Sequence, residues 1–286
     1  MGSVVCVGLT TLDVVQVADR VPGPDEKAVA HDGWLTFGGP AANAAATCAA
    51  LGVDVRLVTA LGTGPEADLV RAGLAAAGVE VVDLAPQVDG LLPVSSVLVT
   101  GMGRAVVSRN AGAAPDLSAA AADVPAAGAG DVVLVDGHHL GAATVLAARS
   151  ASATVLADGG SWKPGLARLL AHVDVAVLSA DFRLPDRAHD GSAADLLSAV
   201  AALGPTVVAQ THGAGAVRVL TADGAVHEVR PPQVPVSDTL GAGDVLHGAA
   251  AAALARGADP LAAVEAGVEV ASRSVQLRGA LGWVNG

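Results

Sequence analysis

The chain has 286 residues, 52% hydrophobic and 15% charged, with a formal net charge of −12. That is apolar sequence enough for one large core, while an acidic balance with only two lysines, Lys27 and Lys163, argues against a nucleic-acid-binding face built from clustered Lys and Arg. Two cysteines, Cys6 and Cys48, cannot by themselves make a zinc site or a disulfide framework. The N-terminus lacks a basic segment followed by an apolar one, and the alanine-rich runs break before membrane-spanning length. The expectation is a cytoplasmic protein that engages neither membrane nor nucleic acid.

Short β-type runs alternate with longer alanine- and leucine-rich helical ones. In chain order the pattern predicts a strand over 4–7, a helix over 41–51, a strand over 55–59 and a helix over 66–77. Further strands are predicted over 132–136, 154–158, 175–179 and 206–209. Helices over 142–150, 165–171 and 193–203 lie between them. A hairpin over 216–220 and 225–229 and two helices from about 242 and 260 close the chain. This alternation predicts an α/β fold, a three-layer α/β/α arrangement around a mostly parallel sheet. Two stretches break the rhythm, about 14–38 and 92–110. Both are β-type with Pro, Gly and Asp turns, and the second contains a hairpin around Gly101-Met102-Gly103. They predict a small β-sheet inserted in a single domain spanning 1–286, placed as a lid near strand ends, where such sheets bind ligands.

The most informative segment is Ser237-Asp238-Thr239-Leu240-Gly241-Ala242-Gly243-Asp244, which runs straight into a helix. Glycines let backbone approach a ligand, and the first amides of a helix lack intrahelical partners, so the segment suits an anion, phosphate above all. A carboxylate at such a place has a chemical use if it takes the proton of a hydroxyl attacking a phosphoryl group. The alternative is an acidic first-turn residue favoured by the helix dipole. A second cluster, Gly38-Gly39-Pro40-Ala41-Ala42-Asn43, is a glycine turn into a helix. Its Asn amide can both donate to and accept from sugar hydroxyls; an incidental Asn at a helix start is the other reading.

With both motifs in this order on this pattern, the chain resembles the PfkB, or ribokinase-like, family of carbohydrate kinases over nearly its whole length. Within the family it looks most like ketohexokinase-like members. The resemblance implies ATP with Mg²⁺ as co-substrate and a sugar as acceptor. Asp244 would be the general base, and Gly241, Ala242 and Gly243 would supply an anion hole. Asp13, Asp25, Gly38, Gly39, Asn43 and Arg109 would contact the acceptor, with Arg109 the candidate partner for any anionic group on it. Nucleotide contacts would come from Gln210, His212, Gly213 and Gly215, together with Gly241 and Gly243. Asp238 and Thr239, with backbone near Gly279, would hold K⁺ in many relatives; a loop-ordering turn explains the same residues. An exposed lid would suit a homodimer.

Three segments depart from the family pattern. Ser179 and Asp181 stand where an Asn-x-x-Glu pair usually orders magnesium, leaving Asp181 to do part of that work. Gln210-Thr211-His212-Gly213-Ala214-Gly215 replaces a Thr-x-Gly-x-x-Gly loop. His247, one turn after Asp244, replaces an apolar residue and reads either as a packed helix histidine or as a group that tunes Asp244. At other strand ends, His138-His139 would face opposite sides. Lys163 is a candidate phosphate contact, or simply part of a helix start capped by Ser161. No P-loop or Gly-x-Gly-x-x-Gly run follows a strand. The reading is an ATP-dependent sugar kinase; a nucleoside kinase of the same fold and a non-catalytic sugar-binding regulator are the alternatives.

Overall fold

Val4–Val7 (β1) consists of four consecutive buried residues. Val4 and Cys6 pack into one apolar cluster, and Val5 and Val7 into another on the opposite face. Side chains of a strand alternate between faces, so a strand apolar at every position must be covered on both sides. The computed structural model describes residues 2–101, 103–109, 115–185 and 193–284. Met102, at the expected hairpin turn, and residues 110–112, after the expected lid, lie outside the described residues.

After β1 come Thr11–Val17 (β2), Asp32–Gly38 (β3), Pro40–Ala50 (α1), Val55–Thr59 (β4), Pro65–Ala76 (α2) and Glu80–Asp83 (β5). Val94–Thr100 (β6) and Gly103–Ser108 (β7) form the hairpin. Ser118–Ala122 (α3), Val132–Val135 (β8), Leu140–Arg149 (α4), Thr154–Gly159 (β9), Leu166–Leu170 (α5), Val175–Leu178 (β10) and Ala193–Ala201 (α6) follow. Val207–His212 (β11), Gly215–Leu220 (β12), Val226–Val229 (β13), Ala242–Ala255 (α7) and Pro260–Ser274 (α8) complete the order, with a short 3₁₀ turn at Gly282–Val284.

The large sheet runs β13-β12-β11-β10-β9-β8-β1-β4-β5. It is parallel from β11 through β5; β12 alone runs against the others, and β13, antiparallel to β12, runs with them. Helices α1, α2, α7 and α8 cover one face and α3 to α6 the other. The smaller sheet runs β3-β2-β6-β7. Two elements were not expected from sequence. The edge strand β5 has no fully buried residue, and α3 is a five-residue helix too short to show periodicity. Ser161 does not cap a helix, since α5 starts later, after Gly165. Among the described residues no helix is long and apolar enough to cross a membrane.

The chain leaves β1 toward β4 and β5 on one side and returns to β8 on the other, so the strand order reverses at β1. Ligand crevices form beyond the carboxyl ends of strands at such a reversal. Here Asp136 pins the crevice floor: its carboxylate accepts the amides of Leu9 (2.8 Å), Ala41 (3.1 Å) and His138 (2.8 Å). These bonds tie the ends of β1 and β8 to the first turn of α1. Burial pushes the Asp136 pKa up, but the bonds and charge of His138 and the Leu9 amide outweigh it and hold the group below the usual carboxylate range.

Helices α1 and α7 then cross at backbone contact. A Cβ on Gly248 would sit 2.5 Å from Ala44 O and 2.8 Å from Thr47 Cβ, and Cys48 Sγ lies 3.1 Å from Gly248 O. Gly248→Val is therefore expected to destabilise the fold by about 1–3 kcal/mol through overpacking, read as a lower midpoint in urea unfolding.

Candidate active site

Glycine at 241 lets α7 start where it does. Gly241 is left-handed (φ 70°), and a Cβ there would lie 2.5 Å from the Ala280 Cβ. The Ala242 amide turns back to Thr239 O at 3.3 Å. Among the described residues, the amides of Gly241, Gly243 and Asp244 have no protein acceptor. This leaves open donors at the positive end of a 14-residue helix. Asp244, in that first turn, accepts a 2.7 Å hydrogen bond from Asn43 Nδ2, across 201 residues of sequence. Asn43 is buried in the first turn of α1, behind left-handed Gly39 (φ 95°) and Pro40 at the first helical position.

Beside Asn43 lies a small cavity of about 190 Å³ that also takes in Asp13, Trp34, Phe37, Leu240 and Arg278. Asp13 comes from β2 of the smaller sheet, and its Oδ1 accepts Thr11 Oγ1 at 2.6 Å. Burial raises its pKa, opposed by the hydrogen bonds from Thr11 and Ser95. Gly38 is required here, because a Cβ would collide with the Asp13 carboxylate. Asp13, Gly38, Gly39, Asn43 and Asp244 thus converge. Asp25 and Arg109 do not line this cavity. Asp25 is exposed on the β2–β3 loop with a positive φ, and Arg109, also exposed, donates to Gly90 O at 3.4 Å.

On the other side of α7's start opens a cleft of about 670 Å³. Its walls include Thr211, Gly213, Val217, Val234, Gly243 and Leu246. Gly213 and Gly215 belong to the turn of the β11–β12 hairpin. Gln210 is buried, its Nε2 donating to Ser179 O at 3.2 Å, and His212 is exposed; Thr211, between them, faces the cleft. The Asp238 carboxylate accepts the amides of Leu240 and Gly279, both at 2.9 Å, and so ties the loop before α7 to the chain after α8. Thr239 Oγ1 accepts Arg104 of β7 at 3.1 Å. Each Asp238 oxygen and the Thr239 hydroxyl oxygen thus accepts one hydrogen bond and keeps a lone pair to spare. Ser179 Oγ donates to Gly160 O and Asp181 is exposed beyond β10; among the described residues no cluster of three His, Cys, Asp or Glu could hold a metal.

The sequence model of the pfkB family of carbohydrate kinases matches residues 1–283. The chain belongs to that family. Its fold is that of solved ribokinases. The ribokinase of Thermotoga maritima superposes with a TM-score of 0.76 at 21% identity, covering 98% of this chain and 95% of that one. The Arabidopsis thaliana ribokinase complexed with ribose and ATP gives 0.76 at 21%, covering 98% and 94%. A protein from Agrobacterium tumefaciens gives 0.82 at 24%, covering 99% and 94%.

In this pfkB-family chain the carboxylates of Asp136, Asp158 and Asp244 act on one another. Asp244 is pushed up to about 7, first by burial and then by the charge of Asp158; the Asn43 hydrogen bond and the charge of His247 oppose the rise. Asp158, at the end of β9, is raised by its own burial and lowered by His247. His247 is buried, with Nδ1 2.7 Å from Gly243 O, Nε2 3.2 Å from Val177 O, and Asp158 Oδ2 3.5 Å from Nδ1. Carbonyl oxygens only accept, so both contacts are hydrogen bonds only when the ring carries both protons. The packed-histidine and tuning readings therefore coincide: the side chain is core and faces the carboxylates at once.

A carboxyl raised in the folded state contributes stability that is complete below its unfolded value near 4 and lost as the pH rises through about 7. Asp244→Asn is therefore expected to melt above the native chain at pH 8, with the gap closing as the pH falls toward 4, in melts taken across that range.

Proposed function

We propose that this chain transfers a phosphoryl group from ATP to a hydroxyl of a sugar or sugar derivative. The reading is carried by the Asn43–Asp244 hydrogen bond of 2.7 Å beside the open amides at the start of α7. Asp13, Asn43 and the backbone at Gly38 and Gly39 hold the acceptor. Asp244 takes the proton of the attacking hydroxyl as its oxygen bonds to the γ-phosphorus and the bond to ADP breaks. Amides of the Gly241–Gly243 turn face the charge that develops on the transferred group. The base of ATP lies in the 670 Å³ cleft, with Gly213 on its wall and Gly215 at the end of the same hairpin turn. Magnesium arrives with ATP, and Asp181 is the candidate to order it through water. The smaller sheet acts as a lid on a single domain and excludes water on closing, so the phosphoryl is not lost to hydrolysis. Exposed Leu35 and Val107, on its outer strands, suit coverage by a second copy of the chain.

Coupled ADP release across ketoses, aldoses, sugar acids and nucleosides tests the reading. Asp244→Asn should lower kcat by about 10²–10⁴-fold while ATP binding, measured by titration calorimetry, stays close to native. Near-native turnover in that variant would remove the assignment. The pH profile of kcat/KM should rise through about 7, because the base must be ionised. Asn43→Ala and His247→Phe each remove an influence that favours the ionised form, so each should move that limb to higher pH; a limb that stays in place in both would count against Asp244 as the titrating base.

A nucleoside acceptor is the second reading, favoured by Trp34 and Phe37 at the acceptor cavity. An aromatic face stacks a nucleobase as well as the apolar side of a sugar. A nucleoside kinase of Methanocaldococcus jannaschii is among the structural neighbours, with a TM-score of 0.73 at 17% identity. Sugar binding without ADP release from any acceptor would instead mark a non-catalytic regulator.

A further inference from the structure

Phosphoryl transfer as drawn above leaves one group of side chains unused. Beyond β8 the chain runs Gly137-His138-His139 into α4, and beyond β9 it runs Gly160-Ser161-Trp162-Lys163. Both stretches line one open cavity of about 700 Å³. The same cavity reaches Pro40, which opens the helix carrying Asn43, and Asp158, which neighbours His247. It therefore borders the acceptor site on its β8 side. His138 and His139 both line the cavity; the strand ends at Val135 before either, so strand alternation does not govern them.

The charges here are not balanced in the way a surface patch would be. Lys163 is one of only two lysines; the other, Lys27, is exposed in the β2–β3 loop. Lys163 is half-buried, and burial lowers its pKa against the pull of Asp136 and Asp158. Its Nζ donates to Gly137 O at 3.2 Å, which accounts for one of three ammonium hydrogens. His138 Nδ1 is buried, 3.3 Å from Asp136 Oδ1 but without hydrogen-bond geometry to any partner among the described residues. His139 is left-handed at the start of α4 and supplies no side-chain cap, while Gly141 and Ala142 of the first turn line the cavity.

Three carboxylates stand in the walls, and two of them, Asp136 and Asp158, also attract Lys163. Asp136 accepts three backbone amides, Asp158 lies against His247, and Asp116 accepts both the amide and the hydroxyl of Ser118. Donors with spare capacity remain, and a half-buried ammonium with spare hydrogens is best offset by an anion.

We propose that this cavity is an anion subsite of the acceptor. The sugar derivative would carry a carboxylate or phosphate remote from the hydroxyl that is phosphorylated, paired by Lys163 with His138 beside it. Arg109, the candidate from sequence, is exposed, donates to Gly90 O, and does not line the cavity. The inference rests on the kinase reading above.

The test uses matched acceptors, neutral against anionic: glucose with gluconate, and fructose with fructose 6-phosphate. The two pairs separate a carboxylate from a phosphate source. The anionic member of one pair should be preferred in kcat/KM. Lys163→Met should lower that preference by about 10- to 100-fold, the range of a hydrogen-bonded charge contact, mainly through KM, and Lys163→Arg should recover part of it. Equal loss for both members of a pair, seen in kcat, would assign Lys163 to the transferred phosphoryl and overturn the subsite. Preference for the neutral members would overturn it as well. If no acceptor releases ADP, the kinase reading fails, and the subsite is judged separately by inorganic phosphate. Phosphate should raise the melting temperature of the native chain more than that of Lys163→Met at fixed ionic strength, and equal shifts would sink it. Should Lys163→Met fail to fold, His138→Gln is read in the same way.

Discussion

One hydrogen bond sets the tolerances of this molecule: Asn43 Nδ2 to Asp244 Oδ2, between helices 201 residues apart in sequence. A side-chain amide reaches a carboxylate on a neighbouring helix at this range only if the two axes pass unusually close. The alanine run of α1 and the alanine run of α7 make that possible, and Gly248 removes the last obstacle at Ala44 O. Gly267 does the same between α8 and α7, where a Cβ would lie 2.7 Å from Leu246 O. The alanine bias of the composition thus has two physical uses. It favours helix, and it lets helices approach to backbone contact. Side chains larger by a few methylenes would push the helices apart and separate the two halves of the crevice.

The same crevice concentrates negative charge in a chain that is already acidic. Asp136, Asp158 and Asp244 influence one another, yet each is handled differently. Asp136 is held ionised by amides and acts as a tie between β1, β8 and α1. Asp158 is raised by burial, with the charge of His247 opposing the rise. Asp244 alone is left poised near neutrality, with one amide hydrogen bond in its favour and burial against it. A group in that condition reduces stability above pH 7, a cost the fold bears at the start of this one helix. The neighbours of Asp244 matter for its chemistry as much as its own position at the helix start.

The order of strands and helices was legible in the sequence because most elements are long or continuously apolar. Strands β1, β4, β8, β9 and β10 are short runs dominated by Val, Leu and Ala and bounded by turn residues, and such runs have few other interpretations. The glycine turns before α1 and α7 were legible for a similar reason: left-handed backbone beside a helix start demands Gly, and the demand is written at a single position. The misses share a cause too. β5 is a half-exposed edge strand and α3 a single turn, so neither carries periodicity.

The residues thus determined by themselves which segments are helix and strand, and that two glycine-led helix starts carry an amide and a carboxylate suited to a hydroxyl and a phosphate. Whether Arg109 or Lys163 faces the crevice, which of Gln210, Thr211 and His212 lines the cleft, and how Asp136 and His247 serve Asp244 were decided only by tertiary structure. Local backbone preference is set by neighbours in sequence and so can be read along the chain. The direction of a side chain at a strand end, and the charge it meets there, depends on segments that arrive from a hundred or more residues away, as the bonds of Asp136 to Leu9 and of Asn43 to Asp244 demonstrate.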